Sequence, residues 1–177
     1  MADKTGTSRA LNQVNLVEML CQFLESDALR DCINRSVPVS MPLDVGSLGV
    51  DVHLWCGLGT VGLWAALDAV AERAGLPRST KCTVCSMKSC IHWRFQKVQH
   101  NQGAALEELE DLRHLYAHNF GGDADQKYFD WSRHVLKQGV TVPLSCGATF
   151  DGYRIRLTPS NLRHYAQAAQ AVLILVS

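Results

Sequence analysis

The chain has 177 residues, with seventeen basic and seventeen acidic side chains and a pI near 7.0. Hydrophobic residues make up 47% and charged residues 19%, a balance that excludes a disordered chain. It suits one domain over 1–177, burying roughly 70% of its unfolded surface. Zero formal charge excludes a uniformly basic nucleic-acid coat but leaves room for a local basic patch.

Met1-Ala2-Asp3-Lys4-Thr5 lacks the apolar core of a secretory signal. No run of about 18 uncharged apolar residues is present, so no membrane partner is expected. Seven cysteines in such a chain point to a reducing compartment with mostly free thiols, hence to the cytoplasm.

Residues 1–7 are polar and expected to fray. Leu11, Val14, Val17, Leu20, Cys21 and Leu24 recur at threes and fours, which predicts a helix with Ser8 as its cap. A short helix is expected over Ser26–Arg35, then a loop enforced by Pro38 and Pro42. Gly49–Gly75 is the most apolar stretch and reads as a buried central helix, with Trp55 and Trp64 in the core and Gly75 just past its end.

Within it, Gly57-Leu58-Gly59-Thr60-Val61-Gly62 matches the glycine pattern of a dinucleotide-binding turn. That site needs a strand before the glycines and an acid at the end of a second strand. Val50–Trp55 could supply the first, but the candidate second strand, Lys81–Val84, is followed by no acid. Glycines that let a neighbouring helix approach closely are the preferred reading, and no cofactor is expected.

Cys82, Cys85, Cys90 and His92 have the donor types zinc prefers. The spacing after Cys85 is tight and no second Cys-x-x-Cys exists, so thiols beside a helix through Trp93, Phe95 and Val98 are preferred over a metal knuckle. Cys21, Cys32, Cys56 and Cys146 are scattered and read as small apolar groups.

After a turn at His100–Gly103 a further helix begins. Ala105, Leu109, Leu112 and Tyr116 form its core stripe, and Asn119-Phe120-Gly121-Gly122 is its stop. At about 100° per residue, Glu110, His114 and His118 fall on the side away from that stripe, with Arg113 between. A guanidinium can grip a phosphate bidentately, and imidazoles move protons near neutral pH. Glu110, His114 and His118 at i, i+4 and i+8 could also share a metal. The plain alternative is a solvated helix face with i, i+4 pairing.

Asp123–Arg133 is expected as a short helix. Val140–Leu144 and Tyr153–Leu157 read as strands, with Asp151-Gly152 as a turn, Ile155 facing inward and Arg154 and Arg156 outward. Thr158-Pro159 suits the cap and first position of a last helix through Leu162, Tyr165, Ala168, Ala169, Val172 and Leu173. The expected class is mainly α, a helical bundle with a small β-hairpin before the C-terminal helix.

Arg113-His114-Leu115-Tyr116-Ala117-His118 has the form Arg, polar residue, three residues, His. It resembles the motif of HEPN-domain proteins, small helical domains that include metal-independent RNases of toxin and defence systems. Asn119–Tyr128 is similar to the segment that follows the motif in bacterial members. The resemblance implies a HEPN-like bundle and a homodimer with Arg and His lining a shared cleft. It also implies RNA as substrate or ligand, and a cognate antitoxin or other partner protein.

On that resemblance Arg113, His118 and His114 are the catalytic candidates. Asn119, Arg154 and Arg156 are candidate substrate contacts. His114 stands where the family often has Asn or Asp. Many HEPN-like domains only bind nucleotides or RNA, or only dimerise, so a non-catalytic interaction module remains the alternative.

Overall fold

A computed structural model describes residues 4–26, 45–76, 91–95, 98, 101–119, 145–151 and 154–176. These fold mainly into α-helices: α1 (Lys4–Glu25), α2 (Val45–Arg73), α3 (Ile91–Phe95), α4 (Gly103–Asn119) and α5 (Pro159–Leu175). Two short strands, β1 (Thr149–Asp151) and β2 (Arg154–Arg156), pair antiparallel ahead of α5, with Phe150 opposite Ile155.

α1, α2 and α5 pack against one another, and α4 lies against both α2 and α5. Their shared core is built from the stripes that periodicity marks. Val14, Val17, Cys21 and Leu24 enter it from α1, Leu63, Leu67 and Val70 from α2, and Leu162, Tyr165, Ala169, Val172 and Leu173 from α5. The fold differs from the expected start of α1. The helix begins at Lys4, so Ser8 lies inside it and residues 4–7 are helical. Once a helix is nucleated, each added residue costs little, and no proline stands between Lys4 and Ser8.

α2 runs straight through Val50–Trp55, so the strand that a dinucleotide fingerprint needs is helix. Gly57 and Gly59 serve packing instead, whereas Gly62 faces open space. A Cβ at Gly57 would enter the Tyr116 ring of α4, and a Cβ at Gly59 would press on Leu162 of α5. One bare turn thus lets two helices approach α2 from different sides. Gly75 adopts φ +65°, with Gly75 N–H donating to the Glu72 carbonyl and Leu76 N–H to Ala71. That pair of bonds is a Schellman ending, which only glycine adopts without strain.

Trp55 departs from its expected core position, at 49% exposed. It shares a helix edge with exposed Leu58, Gly62 and Ala65, turned away from the buried stripe of Cys56, Leu63 and Leu67. Val52–Arg73 is long and apolar enough to cross a membrane by length and composition, yet half of its most apolar window is buried in the protein. The core helix of a soluble bundle meets the same criterion.

α5 starts as its residues dictate. The Thr158 hydroxyl accepts from Asn161 N–H, the Asn161 side chain accepts from Thr158 N–H, and Pro159 opens the first turn. The Asn161 amide also donates to the Cys146 carbonyl, tying the turn before β1 to this helix start. The partner of β2 is Thr149–Asp151. The expected strand Val140–Leu144, the Lys81–Val84 candidate of the disfavoured dinucleotide reading, the expected helix Asp123–Arg133, and residues 27–35 of the other expected short helix lie outside the described residues.

Candidate functional site

The site is built on α4. Its expected stripe is in the core, with Ala105, Leu109, Leu112 and Tyr116 all buried. The polar side is where the wheel misleads. Glu110, expected to face away from the core, is 1% exposed. A wheel drawn for one helix identifies one packed face, but α4 is covered on a second flank by α3 and by Trp64 of α2.

Glu110 Oε2 accepts from the Trp64 indole N–H at 2.7 Å and from the Ile91 backbone N–H at 2.9 Å. Two charge-assisted bonds return about 1.5–3 kcal/mol each, against a desolvation cost of several kcal/mol for the buried carboxylate. Burial wins: it raises the Glu110 pKa, opposed by the Ile91 and Trp64 donors and by the Arg113 charge.

The other oxygen, Oε1, lies 3.5 Å from His114 Nε2. His114 Nδ1 in turn is 2.9 Å from Arg113 Nη1. The Arg113 guanidinium closes the loop, its Cζ 4.3 Å from the centre of the Trp64 ring. A cation over a tryptophan face is worth about 0.5–2 kcal/mol and holds the guanidinium against the ring. Four side chains therefore form one connected cluster: Trp64 bonds Glu110, Glu110 faces His114, His114 meets Arg113, and Arg113 lies on Trp64. Among the described residues, Nε and Nη2 of Arg113 meet no acceptor.

Arg113, His114 and Glu110 are thus brought together. His118 and Asn119 occupy the last backbone positions of α4, and Arg154 and Arg156 lie in β2, but their side chains fall outside the described residues. So do Cys82, Cys85, Cys90 and the His92 side chain. Among the described residues no three His, Cys, Asp or Glu side chains are grouped to hold a metal.

Three further polar arrangements have no counterpart in the sequence reading. His53 Nδ1 accepts the Leu157 N–H at 2.7 Å, and its Nε2 lies 3.1 Å from the Tyr116 hydroxyl. His53 and Gly57 are one helical turn apart, so the glycine seats the Tyr116 ring and the histidine meets its hydroxyl. Arg94, 1% exposed, reaches Asp68, Glu72 and the Leu76 carbonyl, which anchors α3 to the end of α2. Buried Glu108 takes the Ser145 N–H and hydroxyl, both at 2.6 Å, and the Tyr165 hydroxyl at 2.8 Å. Each joins residues far apart in the chain, so no local spacing signals it.

No family model, curated protein or solved structure matches the chain.

Proposed function

We propose that this chain is a HEPN-like helical domain that acts on RNA as a metal-independent endoribonuclease or binds it, with its Arg/His site at a homodimer cleft. The observation that carries the reading is the seating of Arg113. The guanidinium lies on Trp64 beside His114, with two nitrogens open among the described residues, inside the segment that resembles the HEPN motif.

In this reading Arg113 holds the scissile phosphate and balances the charge of the pentavalent transition state. His118 takes the proton from the ribose 2′-hydroxyl, or returns one to the leaving 5′-oxygen. With two copies facing each other, one His118 serves as base and the other as acid. The carbonyl end of α4 favours imidazolium at that position. Asn119, Arg154 and Arg156 follow the RNA backbone. A cytoplasmic setting and a cognate antitoxin belong to the same proposal.

A second reading, a non-catalytic interaction module, is favoured by the burial of Glu110 and by the contacts Arg113 already makes with Trp64 and His114. Cleavage of end-labelled RNA in EDTA separates the two, with Arg113→Ala and His118→Ala as comparators. EDTA-resistant cutting lost in both variants supports the nuclease. Equal cutting by all three proteins sinks the catalytic assignment. An inert but folded wild type that binds RNA leaves the module, and cutting lost in EDTA favours a metal shared by Glu110, His114 and His118.

A further inference from the structure

A helix that is apolar on every side needs cover on every side. Three flanks of α2 have it: Gly57 faces Tyr116 of α4, Gly59 faces Leu162 of α5, and α1 packs against the same helix. The fourth flank faces out. Trp55, Leu58, Gly62, Ala65 and Ala69 recur there at threes and fours, all of them exposed. The strip is about 21 Å long at the helical rise of 1.5 Å per residue. It carries no polar side chain, and Trp55 and Leu58 are 49% and 40% exposed. Spacing of this kind is the seam by which two helices pack at a shallow crossing angle.

The strip also complements itself in size and in charge. Laid antiparallel on a second copy with the two Gly62 residues facing, it sets Trp55 against the other copy's Ala69 and Leu58 against its Ala65. Large meets small on both sides of the centre. Asp51 and Arg73 continue the same spacing beyond the two ends, so Asp51 of each copy stands opposite Arg73 of the other. A parallel pairing would set Trp55 on Trp55 and like charges on like. An uncharged centre with opposite charges at the rim is the anatomy of a protein interface, and an arrangement that maps onto itself is what a twofold requires.

We propose that the outer face of α2, from Trp55 to Ala69, is the surface by which two copies of this chain pair, antiparallel about Gly62. That the chain forms a homodimer rests on the reading above; the face and its direction do not. A twofold that reverses α2 keeps the same flank of both copies on one side of the seam. α4 lies on one such flank, against Gly57. Both copies of α4, each with its Arg113, then border a single groove.

Sedimentation equilibrium over a concentration series tests this with Ala65→Glu, and with Met19→Glu as the control. Met19 is 61% exposed on α1, away from the strip. We expect a wild-type dimer. Ala65→Glu should raise its dissociation constant at least about a hundredfold, because two unpaired carboxylates would be buried in the seam. Its circular dichroism should stay unchanged, since Ala65 is exposed. Met19→Glu should leave the constant where it was. Mild oxidation of Gly62→Cys should link two copies through the introduced thiols, identified by peptide mass spectrometry, since small residues at the seam bring the backbones within disulfide reach. A dimer that Ala65→Glu leaves intact, or that Met19→Glu breaks instead, overturns the face and leaves the homodimer reading standing. If Ala65→Glu does not fold, a dimeric Gly62→Cys that forms no such link overturns it. A wild type that stays monomeric overturns the face and the homodimer reading together. Flotation of that monomer with phosphatidylcholine–phosphatidylglycerol vesicles, lost in Ala65→Glu, would assign the strip to lipid instead.

Discussion

A thiol ionises poorly where water cannot reach it, and Cys21, Cys56 and Cys146 all sit in the core with free side chains. Burial pushes Cys21 and Cys146 up to about 11 and Cys56 to about 12. The thiolate is the reactive form, so these three should resist iodoacetamide at pH 8 in the folded protein and label fully in denaturant. Peptide mass spectrometry after a timed pulse reads this site by site. Fast native labelling of Cys56 would mean that the contact between α1 and α2 opens readily.

Glu110 makes a different residue-scale prediction. Its carboxyl is raised by burial, so the folded state holds its proton more tightly than the unfolded chain does. The group's stabilising share is complete below the ordinary carboxylate value and is lost as pH rises through the folded value. Glu110→Gln removes that titration. The variant's denaturant midpoint should therefore fall less than the wild type's as pH is raised from about 4.5. Parallel pH profiles would show that Glu110 ionises in the fold without penalty.

Among the elements, α2 carries the sharpest contrast. Gly57 and Gly62 lie in the same helix, where glycine costs about 1 kcal/mol relative to alanine. Gly62 opens onto empty space, so Gly62→Ala should stabilise by up to about that amount. At Gly57 a methyl group meets the Tyr116 ring, whose displacement also pulls its hydroxyl from His53. Gly57→Ala should destabilise by about 1–3 kcal/mol. Urea titrations of the two variants should move in opposite directions, and two equal shifts would contradict the packing described.

The same contrast marks how far the chain could be read in advance. The apolar stripes of α4 and α5 and the Thr158-Pro159 start of α5 are local signals, and each occupies its expected place. The exposure of Trp55 and the burial of Glu110 are set by which neighbours pack on α2 and α4. Helical spacing alone carries no record of that.

For the whole molecule, the candidate site is legible in part for the same reason. Arg113 and His114 stand together as helical neighbours, as the motif places them. Trp64 and Ile91, which govern Glu110, come from other helices, and nothing local to α4 points to them. His53 joining Leu157 to Tyr116, and Glu108 joining Ser145 to Tyr165, are likewise products of the assembled bundle. These contacts tie α4 to its neighbours along its length, the kind of support that the proposed phosphate-gripping site would need.

The central claim is that Arg113 and His118 form an RNA-processing site at the end of α4. Its most direct test is the cleavage rate of a labelled RNA in EDTA, wild type against His118→Ala, at a concentration where a dimer persists. The account predicts metal-independent cutting that falls at least about a hundredfold in the variant, the scale of a lost general acid–base group, with folding unchanged. Equal rates in the two proteins, or no cutting by a folded and dimeric wild type, would contradict it.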